Sequence, residues 1–70
     1  MTLGQEIRHA RKARGITQEK LAEIADCSVT EIQNYETGKR NPKEWRLILM
    51  AKALGSDLGG VLSGSKKMEA

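Results

Sequence analysis

An all-helical fold is predicted by three features of this 70-residue chain. Apolar residues recur at three- and four-residue spacing through most of its length. Capping residues and glycines punctuate that pattern at short intervals. No stretch alternates as a strand would, and no internal repeat or low-complexity segment is visible. The prediction is a compact bundle of five short helices with crossed packing. It forms one domain over residues 1–62, followed by a disordered tail over residues 63–70 that lacks periodicity.

Each element has its own signals. Thr2 and Gln5 form a capping box at the first helix, Leu3, Ile7 and Ala10 supply its apolar positions, and Gly15 stops it. Thr17 caps the second helix, and Glu19 complements the dipole in its first turn. Leu21, Ala22, Ile24 and Ala25 give that helix an apolar face. Asp26 stands at the turn that follows; Asp tolerates positive φ better than most residues, though less well than Gly. Ser28 and Glu31 make a second capping box. They open a third helix over residues 28–37, which buries Ile32 and Tyr35 and ends at Gly38.

The segment Asn41-Pro42-Lys43-Glu44 reads as the next helix start, with Asn as cap and Pro at the first helical position. Trp45, Ile48, Leu49, Ala51 and Leu54 are the apolar residues of this fourth helix, and Gly55 ends it. Ser56 or Asp57 caps a short fifth helix containing Leu58, Val61 and Leu62. Gly59 and Gly60 weaken it, each by about 1 kcal/mol relative to alanine.

Composition narrows the function. The net charge of +3 and the pI near 9.3 favour a polyanionic partner without being diagnostic. Cys27 is the only cysteine, so no internal disulfide forms, which fits a reducing, cytoplasmic setting. No apolar run is long enough for a membrane span, and no apolar signal segment opens the chain. With no Phe, one Trp and one Tyr, the chain lacks a stacking platform for single strands. Trp45 and Tyr35 read as core residues, and Cys27 as a small buried hydrophobe.

Nothing in the sequence points to catalysis. No nucleophile–base–acid set and no phosphate-cradling glycine pattern is present, and so small a fold leaves no room for a proper pocket. The expectation is a protein that is not an enzyme, with no catalytic residue and no cofactor. His9 has no Cys or second His at ligand spacing, so a surface role is expected and no metal site is assigned.

The informative stretch is Thr17 to Glu36, TQEKLAEIADCSVTEIQNYE. It reads as two helices joined by a tight turn, with small Ala22 where they approach and Cys27 turned inward. Burying Ile32 and Tyr35 leaves Val29, Thr30, Gln33 and Asn34 facing outward. A B-DNA major groove is wide enough to admit such a helix.

The order of motifs along the chain supports this reading. They are I-R-x-x-R-K from Ile7, G-I-T-Q-E-x-L-A from Gly15, S-x-x-x-I-x-x-Y-E-x-G-K-R-x-P from Ser28, and A-K-A-L-G from Ala51. Together they resemble the helix-turn-helix of the phage-repressor and xenobiotic-response-element-like (Cro/C1-type) family, over about Leu3 to Leu62. The resemblance implies a sequence-specific double-stranded DNA-binding transcriptional regulator, a repressor, whose third helix enters the major groove of an operator.

The resemblance also implies residue roles. Val29, Thr30 and Asn34 fall at base-reading positions with Gln33 beside them. Val29 reads equally as a half-buried core residue. Thr17, Gln18, Ser28, Lys39, Arg40, Asn41 and Lys43 fall at the phosphate or the edge of the site. Arg11 and Glu36 match a structural ion pair, expected here to be partly exposed and worth only about 0–1 kcal/mol. Arg8, Lys12 and Arg14 read as a largely solvated face.

Two departures stand out: Asp26 replaces the usual turn glycine, and Val29 and Thr30 replace long polar side chains. With fewer direct hydrogen bonds, discrimination leans on DNA shape. By family analogy the partner is a palindromic operator bound by a homodimer. The dimer is weak in solution, with Leu58, Val61 and Leu62 as candidate contacts, because no separate dimerisation or ligand domain is seen. The alternative is an antitoxin or other protein-interaction module that reuses the fold toward a protein partner such as a toxin.

Overall fold

The computed structural model describes residues 1–62, so the expected tail over 63–70 lies outside the described residues. Within them the order is α1 (Leu3–Ala13), α2 (Gln18–Ala25), α3 (Val29–Thr37) and α4 (Glu44–Leu54), then a 3-10 turn at Leu58–Gly60. The predicted capping boxes form. Thr2 and Gln5 exchange hydrogen bonds of 2.9 and 3.2 Å, and Ser28 and Glu31 do the same at 3.4 and 3.1 Å. Thr17 Oγ1 accepts from the Lys20 amide at 3.0 Å.

The expected fifth α-helix is corrected to that 3-10 turn among the described residues. Gly59 adopts φ +58°, which an α-helix cannot carry, and helical geometry resumes only at Val61. The turn still has a packing role: Leu58 has no exposed surface.

Each element sends a large side chain into one core. Ile7 of α1, Leu21 of α2, Ile32 of α3, Met50 of α4 and Leu58 are fully buried. Full burial of each contributes about 1.5–3 kcal/mol, the dominant stabilisation open to a domain this small. At Gly4, α1 lies directly on the backbone of α3. A Cβ there would collide with the carbonyl oxygens of Tyr35 and Glu36.

The fourth helix departs from expectation twice. It starts at Glu44 with Lys43 extended at φ −67° and ψ 156°, so Pro42 is not its first residue and Asn41 is not its cap. Its buried face is Leu47, Met50, Ala51 and Leu54, whereas Trp45 and Leu49 are 49% and 40% exposed. Arg46 accounts for the second. It reaches back to the C-terminus of α2, and its guanidinium carbon stacks 4.5 Å from the Trp45 ring centroid. That tie sets the rotation of α4 and turns Trp45 outward. Among the described residues, no helix is long and apolar enough to cross a membrane.

Candidate nucleic-acid interface

The turn between α2 and α3 is built without glycine. Asp26 holds φ 57° and ψ 52°, the left-handed region, and the Cys27 amide closes the turn on the Ala22 carbonyl at 2.9 Å. Arg46 stabilises it from outside, donating to the carbonyls of Ala25 and Asp26, both at 3.1 Å. A guanidinium at a helix C-terminus satisfies its free carbonyls and complements its dipole. The same side chain donates to Tyr35 Oη at 3.1 Å and pairs with Glu31 at 3.2 Å, so one residue of α4 fixes both helices of the unit.

The opposite flank of α3 is held by Arg11 and Glu36. Arg11 Nε and Nη2 donate to the two Glu36 oxygens at 2.6 and 3.2 Å, and Nη1 donates to the Ile16 carbonyl at 2.9 Å. The two residues are 8% and 9% exposed. The expectation of a partly exposed pair is therefore corrected. Gly4 brings α1 so close to α3 that the pair is shut in. In that setting, loss of one partner strands a charge and costs about 3–5 kcal/mol.

Between these ties α3 presents a polar ridge. Thr30, Gln33 and Thr37 are exposed, Asn34 is half-buried, and Val29 is half-buried against the core. Two clefts flank the ridge. One, of about 630 Å³, includes Arg8, Thr17, Gln18 and Lys39 in its lining. The other, of about 400 Å³, includes Arg40, Asn41, Lys43 and Arg46. Asn34 borders both. Ser28 is exposed at the tip of α3, its hydroxyl engaged in the capping box. The positions expected at phosphate thus fall on both sides of the ridge, except Ser28 at its end.

Sequence reasoning gave no role to Gly4 or Arg46 and placed Arg8 on a solvated face. Gly4, Arg8 and Arg11 follow one another at four- and three-residue spacing, the stripe of α1 that runs along α3, so Arg8 belongs to the cleft rather than to a purely solvated face. Arg46 was the other omission; it is the lone charge in the run Trp45–Ala51, which was its available signal. Leu58 is removed from the candidate dimer contacts because it has no surface left to offer.

A helix-turn-helix family model matches residues 7–61, from α1 through the 3-10 turn. The chain belongs to the helix-turn-helix family, of the phage-repressor (Cro/C1) type. In this helix-turn-helix protein, α2 and α3 are the two helices of the motif. It is 37% identical over 62 residues to the immunity repressor protein of Bacillus phage phi105, covering 89% of this chain and 43% of that protein. It is 32% identical over 62 residues to an uncharacterized HTH-type transcriptional regulator of Rickettsia prowazekii, covering 89% and 48%. To the competence pilus inhibition repressor of Acinetobacter baylyi it is 29% identical over 69 residues, covering 99% and 63%. The chain spans about half the length of the first of these curated relatives. No solved structure matches it.

Proposed function

We propose that this helix-turn-helix chain is a sequence-specific double-stranded DNA-binding transcriptional regulator, a repressor, that lays α3 in the major groove of an operator and excludes polymerase. One observation carries the reading: a polar helical ridge lies between two cationic clefts. A major groove about 12 Å wide admits a helix, and its two phosphate backbones run along the flanks. Arg8 and Lys39 meet one backbone, and Arg40 and Lys43 meet the other. These contacts set affinity and register, while base edges set sequence.

Thr30, Gln33 and Asn34 are the base readers in this scheme. The Thr30 methyl suits a thymine methyl, and the Asn34 amide suits adenine. Val29 contributes less, since it is half-buried against the core. A homodimer on a palindrome places half-sites about 34–36 Å apart. Trp45 and Leu49, one turn apart on α4, join Val61 and Leu62 as its candidate contacts.

The test is selection of bound duplexes from a randomised pool, followed by titration of the selected duplex against salt. A recurrent sequence bound with a steep inverse salt dependence is expected. Repression follows if that duplex, placed at a promoter, silences a reporter when the protein is present. Recovery of no preferred duplex would sink the proposal.

A further inference from the structure

We infer that Gln18 is a positioning residue that fixes the side-chain amide of Gln33, carrying the polarity of the buried Arg11–Glu36 pair to the surface that meets base edges; this rests on the DNA-binding reading above. The relay runs in one direction. A carboxylate paired with a guanidinium can only accept hydrogen bonds. Glu36 Oε1 accepts from Arg11 Nη2 at 3.2 Å and from Gln18 Nε2 at 3.1 Å. Gln18 therefore turns its nitrogen inward and its Oε1 outward. That oxygen accepts from Gln33 Nε2 at 3.5 Å.

Gln33 is oriented in its turn. One N–H is used on Gln18, while the second N–H and Oε1 stay available. A donor and an acceptor side by side on one planar amide match the N7 acceptor and N6 donor of adenine. An untethered glutamine on an exposed helix face samples many rotamers and both amide orientations, and ordering it opposes binding. Here the order is supplied before DNA arrives. Its source is a pair too enclosed to reverse its polarity.

The experiment uses the full chain and a duplex selected by the wild type from a randomised pool. At the base pair whose preference Gln33→Ala relaxes, the wild type is expected to prefer adenine about tenfold. Gln18→Ala is expected to lose most of that preference at that base pair alone, and to change it no further in the Gln33→Ala background. Gln18 lies in the first turn of α2, where alanine favours the helix, so the variant folds. Equal weakening of every duplex by Gln18→Ala, with a shallower salt dependence, identifies a phosphate contact and overturns the inference while DNA binding stands.

A second measurement needs no DNA. In the free protein the Gln33 side-chain amide resonances, assigned by their loss in Gln33→Ala, are expected to shift in Gln18→Ala. Unmoved resonances overturn the inference whatever the protein binds. A wild type that selects no duplex removes the proposed function and this inference with it.

Discussion

Arg11 on α1 grips Glu36 on α3 through two hydrogen bonds, with side chains only 10% and 3% exposed. The pair ties the helix that opens the chain to the helix that carries the polar ridge. Because water is nearly excluded, its importance lies in what happens when it is halved. Arg11→Met leaves the Glu36 carboxylate buried beside Gln18 alone. The expected loss in urea unfolding is about 3–5 kcal/mol, a large share of the stability of any small domain. Replacing both residues, as Arg11→Met with Glu36→Leu, is expected to recover part of that loss. A double variant no more stable than the single one would contradict the stranded-charge account.

Gly4 makes that enclosure possible. Its missing side chain lets α1 rest on the carbonyls of Tyr35 and Glu36. Gly4→Ala gains up to about 1 kcal/mol of helix propensity. The gain is outweighed, because the obstacle is backbone that cannot swing aside. Overpacking of this kind costs about 1–3 kcal/mol. The expected result is a lower melting temperature, by roughly 4–8 °C for each net kcal/mol in a domain of this size. A rise in melting temperature would place α1 farther from α3 than described.

The sequence carried some of this and hid the rest for definite reasons. Caps were legible at Thr2, Thr17 and Ser28 because a hydroxyl three residues ahead of a helical amide has one favoured partner. Glycine at residues 59 and 60 gave warning of a weak fifth helix, and the left-handed turn at Gly59 ended it. The rotation of α4 was not legible. Every residue from Trp45 to Ala51 except Arg46 is apolar, so spacing selects no face. What selects it is Arg46 reaching across 20 residues of sequence to Asp26. The polar ridge of α3 followed from burying Ile32 and Tyr35. Its flanking clefts required knowing where α1 and the segment before α4 lie.

Arg46 is accordingly expected to be intolerant of lysine. It donates to Ala25, Asp26, Tyr35 and Glu31 while stacking on Trp45. An ammonium lacks the planar fork that spans those acceptors. Arg46→Lys is expected to lose about 1.5–3 kcal/mol, the scale of one charged hydrogen bond not replaced. The α2–α3 turn should then open more readily, read as faster amide exchange at Cys27, whose N–H closes it. Unchanged exchange at Cys27 would show that the turn does not depend on this arginine.

Cys27 offers a pH test of the same turn. Burial pushes its thiol above the ordinary value, aided by Glu31 and Asp26 and opposed by Arg46. The folded chain therefore holds the proton to higher pH than the unfolded chain does. As pH rises through the ordinary thiol range, about 8.5, the unfolded state loses the proton first and stability falls until the folded thiol also titrates. Below that range the contribution is fully present. Cys27→Ala is expected to show a flatter stability profile between about pH 8 and 10 than the wild type. Parallel profiles would remove Cys27 from the account.

Asn34 and Lys43 test the two kinds of contact in the proposed DNA complex. Asn34 borders both clefts on the ridge, whereas Lys43 lines the second cleft alone and is exposed. Asn34→Ala is expected to relax preference at one base pair by about 1–3 kcal/mol and leave random duplex binding nearly unchanged. Lys43→Ala is expected to weaken all duplexes alike and reduce the salt slope by about one. Arg8→Ala should behave like Lys43→Ala, because in the proposed complex its cleft meets the other backbone. An Arg8 variant with wild-type affinity and slope would narrow the interface to one flank of α3. The ridge would then meet DNA tilted toward the side of Arg40 and Lys43, and Gln33 would be lifted from the bases while Asn34 stayed in reach.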